Sequence, residues 1–418
     1  MIRKKLVDLA KKNTLFRKIA RKILFWKEKL KYTFYYYKYK VDDKVILFEV
    51  FGGRNYACSP KAIYQYMSQD KRFQDYTFVW AFKDIESHQF LLDSKTILIP
   101  SKSKLYNRYL ATAKYWIVNS LVEPAIKKKK NQIYVQCWHG TPLKKLRYDI
   151  EVEGSVLNTI EEIRKRNDLD AIKFDYFISP SKYCTEKFTS AFNLIKLGKE
   201  NILIEQGYPR NDYLLTYQKK DVSRIKKELN IPKDKKVILY APTFRDNQHT
   251  SGVGYTYHLG INFDTLKKEF SEEYIILFRT HYYVSNSFDF ESYKGFIYDV
   301  SSYDDINELY IISDVLITDY SSVFFDFANL KKPILFYMYD LDEYKNKLRD
   351  FYIDLSILPG PIVETEKELM NEIKNIDKHD KKYNKKYEKF NKTFNYLDDG
   401  NAAKRVVEVI FDESKRKT

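Results

Sequence analysis

Two polar signatures, Trp138-His139-Gly140-Thr141-Pro142 and Thr318-Asp319-Tyr320-Ser321-Ser322, each follow a short apolar run. The carboxyl ends of strands are where α/β proteins place their chemistry. In the second signature Val315 to Ile317 reads as a buried parallel strand, and a tight polar turn leads into an apolar helix that begins at Ser321 or Ser322. The unsatisfied N–H groups of such a helix start, its dipole and the two hydroxyls form a seat for a phosphate or pyrophosphate. An isolated Ser-Ser is ordinarily a plain helix cap. Here it has company: Arg279-Thr280-His281 closes the run Tyr274 to Phe278, and Thr243 and Arg245 follow the run Val237 to Tyr240. In a doubly wound sheet such ends share one edge, so the cations and hydroxyls would converge on one anionic ligand.

The elements that must hold these residues follow from the spacing of apolar runs. Runs at 45–51, 78–82, 96–99, 115–118, 133–137 and 174–179 alternate with helical or loop stretches, and a second series covers 202–205, 237–240, 274–278, 296–299, 315–318 and 333–337. That alternation predicts α/β architecture with two Rossmann-like domains. The charged stretch 218–236 is the expected connection between them, and the lysine-rich stretch 377–389 is an expected solvated helix face.

The motif words and their order resemble a family. Gln136 to Lys145 (with His139-Gly140-Thr141-Pro142 inside it), Gly207-Tyr208-Pro209-Arg210-Asn211-Asp212, Leu239 to Arg245, Phe278-Arg279-Thr280-His281, Leu316 to Ala328 and Lys332 to Tyr337 look like the CDP-glycerol glycerophosphotransferases that build teichoic acids and related capsule polymers. The resemblance spans roughly residues 44 to 400. It implies two facing Rossmann-like domains of GT-B type: an acceptor domain at 41–220, a nucleotide-binding domain at 221–400, and a C-terminal helix or tail at 401–418.

The implied reaction moves glycerol phosphate from CDP-glycerol, or a related polyol phosphate from CDP-ribitol, to an acceptor hydroxyl with release of CMP. Such a displacement needs positioning, charge neutralisation and removal of one proton. The resemblance makes His139 the general base. The residue type agrees, since an imidazole of ordinary pKa ~6.5 accepts a proton near neutrality, and Gly140 lets substrate approach the backbone. Arg279 and His281 are implied at the pyrophosphate, with His281 a potential general acid. Ser321 and Ser322 would seat phosphate while Thr318 and Asp319 shape the turn. Asp326 is a candidate for a ribose hydroxyl, Thr243 and Arg245 are further phosphate candidates, and Arg349 is a candidate for closing the nucleotide pocket. Gly140, Thr141, Arg210 and Asp212 are assigned to acceptor or interface contacts. Many family members follow the second histidine with proline, whereas this chain has Tyr282-Tyr283, so the local loop and the acceptor or polyol are expected to depart from the family pattern.

Composition narrows the setting. The 418 residues, 17% of them aromatic, suffice for two full cores. Cys58, Cys137 and Cys184 are odd in number and unclustered, which argues against a disulfide framework or zinc knuckle and for a reducing cytoplasm. No dedicated metal spacing is evident among Asp304, Asp305, Asp314 and Asp319, so neither metal nor cofactor is expected beyond the CDP-activated donor. Residues 1–40 hold fourteen Lys/Arg against Asp8 and Glu28, a net 14 − 2 = +12 of the total +16. Ile2, Leu6, Leu9, Phe16, Ile19, Ile23, Trp26 and Leu30 recur at helical spacing among them. This predicts a basic amphipathic arm lying on anionic lipid at the cytoplasmic face of the membrane. The plain alternative is a helix packed on the protein's own body. A lipid-linked glycan or growing polymer is the expected acceptor; nucleic acid is not an expected partner, because no known module accompanies the Tyr-Lys tract at 34–40. A sugar-nucleotide glycosyltransferase of the same architecture and a noncatalytic membrane scaffold remain as alternative functions.

Overall fold

The computed structural model describes residues 13–151, 158–243, 249–250, 254–255, 260–280, 288–343 and 351–412. The chain forms two α/β units, one of Met1–His139, Glu161–Asp212 and Leu397–Thr418, the other of Gly140–Ile160 and Tyr213–Tyr396.

The first unit contains a parallel seven-stranded sheet: β1 (Asp42–Glu49), β2 (Thr77–Phe82), β3 (Thr96–Pro100), β4 (Ala113–Val118), β5 (Ile133–Gln136), β6 (Tyr176–Ser179) and β7 (Leu203–Glu205). Their order is β3-β2-β1-β4-β5-β6-β7. The run at 202–205, expected to open the second series, is instead the last strand of the first sheet, pairing in parallel with β6. The strands read as unbroken apolar runs because a parallel sheet is covered on both faces. Phe48, Trp80, Phe78 and Ile117 are buried in the resulting core.

The second unit holds β8 (Lys236–Ala241), a short antiparallel pair of β9 (His249–Thr250) and β10 (Gly254–Tyr255), then β11 (Tyr274–Phe278), β12 (Ile297–Asp299), β13 (Val315–Thr318), β14 (Ile334–Tyr337) and β15 (Ile362–Val363). Its six-stranded parallel sheet has the order β12-β11-β8-β13-β14-β15. Both sheets therefore reverse direction of winding beside their first strand, between β1 and β4 and between β8 and β13. Such switch points open a crevice at the carboxyl ends of the strands.

Two boundaries differ from the sequence expectation. Residues 401–418 are not a separate tail in their described part: the Ala402–Phe411 helix buries Val406, Val407 and Ile410 against Ile63 and Met67 of the first unit. That i, i+1, i+4 stripe needs an apolar partner, and the Cys58–Gln69 helix supplies it. The segment from Gly140 to Ile160, expected within the first domain, belongs to the second unit. In the second unit a Cβ on Gly360 would lie 2.0 Å from the Ile334 carbonyl oxygen of β14. Gly360→Ala is therefore expected to cost about 3 kcal/mol by overpacking; an unchanged denaturant midpoint would refute this.

The arm is helical over Thr14–Lys38. One face packs on the first unit: Tyr32 is buried, and Arg17 and Arg21 reach Glu162 at 3.4 and 3.0 Å. On the opposite face Leu15, Ile19, Ile23, Trp26, Leu30, Phe34 and Tyr37 are all exposed, spaced three or four residues apart. Packing thus uses Arg17 and the tyrosines near the end of the helix, and leaves the apolar stripe and the lysines at 18, 22, 27, 29 and 31 outward. Residues 1–12 of the expected arm, with Ile2, Leu6 and Leu9, lie outside the described residues.

Candidate active site

In the first unit three strand ends meet around His139. The chain turns after β5 through Trp138, which adopts a left-handed φ of 49° and whose N–H donates to Gln136 Oε1 at 2.9 Å. This turn brings the exposed His139 ring beside Asn119, the first residue past β4, with Nδ1 2.8 Å from the Asn119 carbonyl oxygen. Trp138 stacks on the imidazole with ring centroids 4.2 Å apart, and Phe51, just past β1, meets it edge-on at 5.6 Å. The histidine therefore stands at the switch point between β1 and β4, where sheet topology favours a ligand.

Beneath this turn lies the motif Gly207 to Asp212. The Cys58 thiol lies 3.8 Å from the Trp138 carbonyl and receives Arg210 Nη1 at 3.6 Å, while the buried guanidinium sits 4.1 Å over the Tyr208 ring. Arg210, expected at an acceptor or interface, supports the histidine turn from within its own unit. Burial pushes the neighbouring Cys137 thiol far up, which keeps it neutral.

Asp212 Oδ1 and Oδ2 accept the N–H groups of Ala402 and Ala403, both at 2.8 Å. The interface it serves is that of the C-terminal helix with the body of the first unit. Burial raises its pKa to about 6 despite those two donors. The folded protein thus holds this proton more tightly than the unfolded chain. Its contribution to stability is full below about pH 4 and is lost as pH rises through about 6. Asp212→Asn is expected to remove that slope, up to about 3 kcal/mol between those limits. Parallel slopes in denaturation measured across the window would contradict it.

In the second unit the signature at 318–322 bridges the other switch point. Thr318 Oγ1 donates to the Ala241 carbonyl at 2.8 Å, and Asp319 Oδ1 accepts the N–H groups of Thr243 at 2.8 Å and Tyr320 at 2.6 Å. Those bonds lock the ends of β8 and β13 together and leave Ser321 and Ser322 partly exposed at the start of the Val323–Phe327 helix. Ser322 occupies the N-cap position without a side-chain cap bond, so its hydroxyl is not spent on the helix. Gly140 packs against this residue: a Cβ there would lie 2.6 Å from Ser322 Oγ. Asp326 is buried one turn further on.

The segment after Gly140 is fastened to the same unit. Thr141 is buried, Lys144 bridges Phe351, the Tyr352 N–H donates to the Leu143 carbonyl at 2.9 Å, and Tyr352 Oη accepts from the Leu146 N–H at 3.1 Å while donating to Asp149. Phe351 also stacks on Tyr320, which donates to Asp340 at 3.0 Å. Arg279, expected at the pyrophosphate, uses Nη1 on the carbonyls of Val300 (2.9 Å) and Tyr303 (2.7 Å), so its observed task is to hold the turn after β12. Burial lowers its pKa from the usual arginine range, opposed by Tyr310 and the carboxylates of Asp305, Asp304 and Asp299. The candidate residues His281, Arg245 and Arg349 lie outside the described residues.

Known proteins carry the same pattern. Residues 31–412 match the family model described as CDP-Glycerol:Poly(glycerophosphate) glycerophosphotransferase. The chain belongs to this glycerophosphotransferase family. It is 43% identical over 377 residues to the teichoic acid poly(glycerol phosphate) polymerase of Bacillus subtilis, covering 89% of this chain and 49% of that protein, so the chain spans about half that relative's length. The corresponding polymerase of Bacillus spizizenii is 42% identical over 370 residues, covering 88% and 92%. A solved structure of the wall teichoic acid polymerase TagF, a histidine-to-asparagine variant soaked with CDPG, superposes with a TM-score of 0.84 at 37% identity, covering 98% of this chain and 99% of that one.

Within this chain three of the described histidines, His88, His139 and His379, separate by use. His88 stacks on Phe82 at 3.8 Å, and His379 pairs with Glu372 at 2.8 Å, each within a packed surface. His139 is exposed at a strand end. Three of the four aspartates weighed as metal ligands accept backbone hydrogen bonds within the fold: Asp314 from the Val237 N–H, Asp305 from the Asn307 N–H, and Asp319 as above. Among the described residues no group of three or more His, Cys, Asp or Glu is arranged to hold a metal. Asn119, Phe51, Cys58 and Tyr352 were missed as site residues. Asn119 carried a local signal, as the first polar residue after the apolar run 115–118, and Tyr352 closes the motif word Arg349-Asp350-Phe351-Tyr352.

Proposed function

We propose that the chain transfers glycerol phosphate, or a related polyol phosphate, from a CDP-activated donor to a hydroxyl of a membrane-linked acceptor in teichoic acid or capsule polymer synthesis. The observation that supports this reading is Gly140, the residue after His139 in the chain, seated on Ser322 within the second unit. The acceptor oxygen forms a bond to the donor's glycerol-bearing phosphorus, the bond from that phosphorus to the CMP oxygen breaks, and the hydroxyl proton passes to His139. Ser321, Ser322 and the N–H groups behind them receive the pyrophosphate. His281 supplies positive charge or a proton to the departing CMP, with Arg245 and Arg349 as further cations and Asp326 at the ribose. Arg279 acts by holding the turn at 300–303. Charge neutralisation by these groups requires no metal, and turnover is expected to survive EDTA; loss restored by magnesium would overturn that part.

The test is incubation with CDP-glycerol and CDP-ribitol separately, with membrane extract as acceptor, followed by mass spectrometry. CMP and a phosphodiester product are expected. Release of a nucleoside diphosphate from a sugar nucleotide would point to a glycosyltransferase instead, and no heat of binding with CDP-glycerol in isothermal titration would point to a scaffold.

The arm is proposed as a peripheral contact with anionic lipid, which places the work at the cytoplasmic face. The outward apolar stripe of Ile19, Ile23, Trp26 and Leu30 supports this, since an interfacial helix binds through buried apolar area. Ile23→Glu with Leu30→Glu is expected to lower sedimentation with phosphatidylglycerol vesicles at least tenfold without changing the melting temperature. Equal sedimentation would sink the proposal.

A further inference from the structure

We infer that Asn119 is the positioning residue that fixes which nitrogen of His139 accepts the proton; this rests on the reading of His139 as the base. Asn119 is fully buried at the end of β4 and gathers the ends of the two strands beside it. Its carbonyl oxygen lies 2.8 Å from His139 Nδ1. A carbonyl only accepts, so the neutral imidazole carries its hydrogen on Nδ1 and its lone pair on Nε2. Its side chain works on the other strand: Oδ1 accepts the Phe51 N–H at 2.8 Å.

Phe51 needs that anchor. It has a left-handed φ of 48°, followed by Gly52 at 66° and Gly53 at 81°, a run of backbone that a bulky residue adopts only when held there. So held, its ring stands edge-on to His139 while Trp138 stacks on the imidazole. One asparagine thus sets the tautomer through its backbone and the ring's orientation through its amide. Without the amide oxygen, the Phe51 N–H loses its acceptor and the aromatic wall beside His139 is released.

The experiment has two arms. In the wild-type chain with 15N-labelled histidine, the His139 signal, assigned by its loss in His139→Gln, is expected to show a pyridine-type Nε2 and a protonated Nδ1; the opposite tautomer as the major form would overturn the inference. In the second arm Asn119→Ala is expected to lower kcat for CMP release on the order of a hundredfold, as for a misplaced catalytic group. KM for CDP-glycerol should stay within about twofold, and Asn119→Asp, which keeps an oxygen for the Phe51 N–H, should recover most of the rate. If Asn119→Ala does not fold, Asn119→Asp against Asn119→Leu provides the same contrast. Wild-type kcat in both nonconservative variants, or equal loss in the aspartate variant, refutes the positioning role. His139→Gln separates the two readings: if it retains turnover, the base assignment fails; if it is inactive while the Asn119 variants are unaffected, only this inference fails.

Discussion

His139→Ala is expected to lower turnover by about 10²- to 10⁴-fold, the range for removal of a positioned general base, while the dissociation constant for CDP-glycerol stays within about twofold. The two effects separate because the groups proposed to hold the donor, Ser321 and Ser322 with the turn built by Thr318 and Asp319, belong to the second unit, whereas the imidazole is carried by the first. His139 is exposed, and its ring is held by packing against Trp138 and Phe51, so its loss opens no cavity in the core. CMP release and isothermal titration on one preparation check both halves. A variant with near wild-type turnover would remove the histidine from the mechanism.

Gly140→Ala should also be damaging, by a different route. The new methyl would sit 2.6 Å from Ser322 Oγ and 3.3 Å from Ser322 Cβ. The hydroxyl can rotate away, but the Cβ contact requires a shift of a few tenths of an ångström in the turn proposed to receive phosphate. Misplacement by a full ångström is worth about a hundredfold in rate, so this smaller shift is expected to cost about tenfold, and donor affinity should fall with it. Ser322→Gly in the Gly140→Ala background removes both clashing atoms, so the double variant should exceed Gly140→Ala in both donor affinity and rate. That non-additivity is the signature of contact between the two positions. Wild-type donor binding in Gly140→Ala would show that the two motifs do not depend on one another.

The sheets were legible because a strand covered on both faces must be apolar along its whole length, and the polar residue that ends such a run marks the carboxyl edge. His139, Thr243, Thr318 and Ser321 could be found that way. Asn119 carried the same mark and was overlooked, because an amide after a strand is common in turns and its bonds to Phe51 and His139 join residues 68 and 20 positions away. Arg279 was expected at the pyrophosphate from the resemblance, and Arg210 at an interface or an acceptor contact. Their hydrogen bonds to the carbonyls of Val300 and Tyr303 and to the Cys58 thiol depend on chain segments that no local pattern identifies.

The amino-acid order alone determined the strand runs, the motif words, the family they resemble and the concentration of charge in the arm, since each is a local or compositional property. Only the tertiary structure decided that residues 140–160 leave the first unit for the second, that the C-terminal helix returns to the first, and that the arm packs through Arg17 and Tyr32 and turns its apolar stripe outward. The physical reason is that burial of an apolar face requires a partner surface, and which surface is available depends on how distant segments come together.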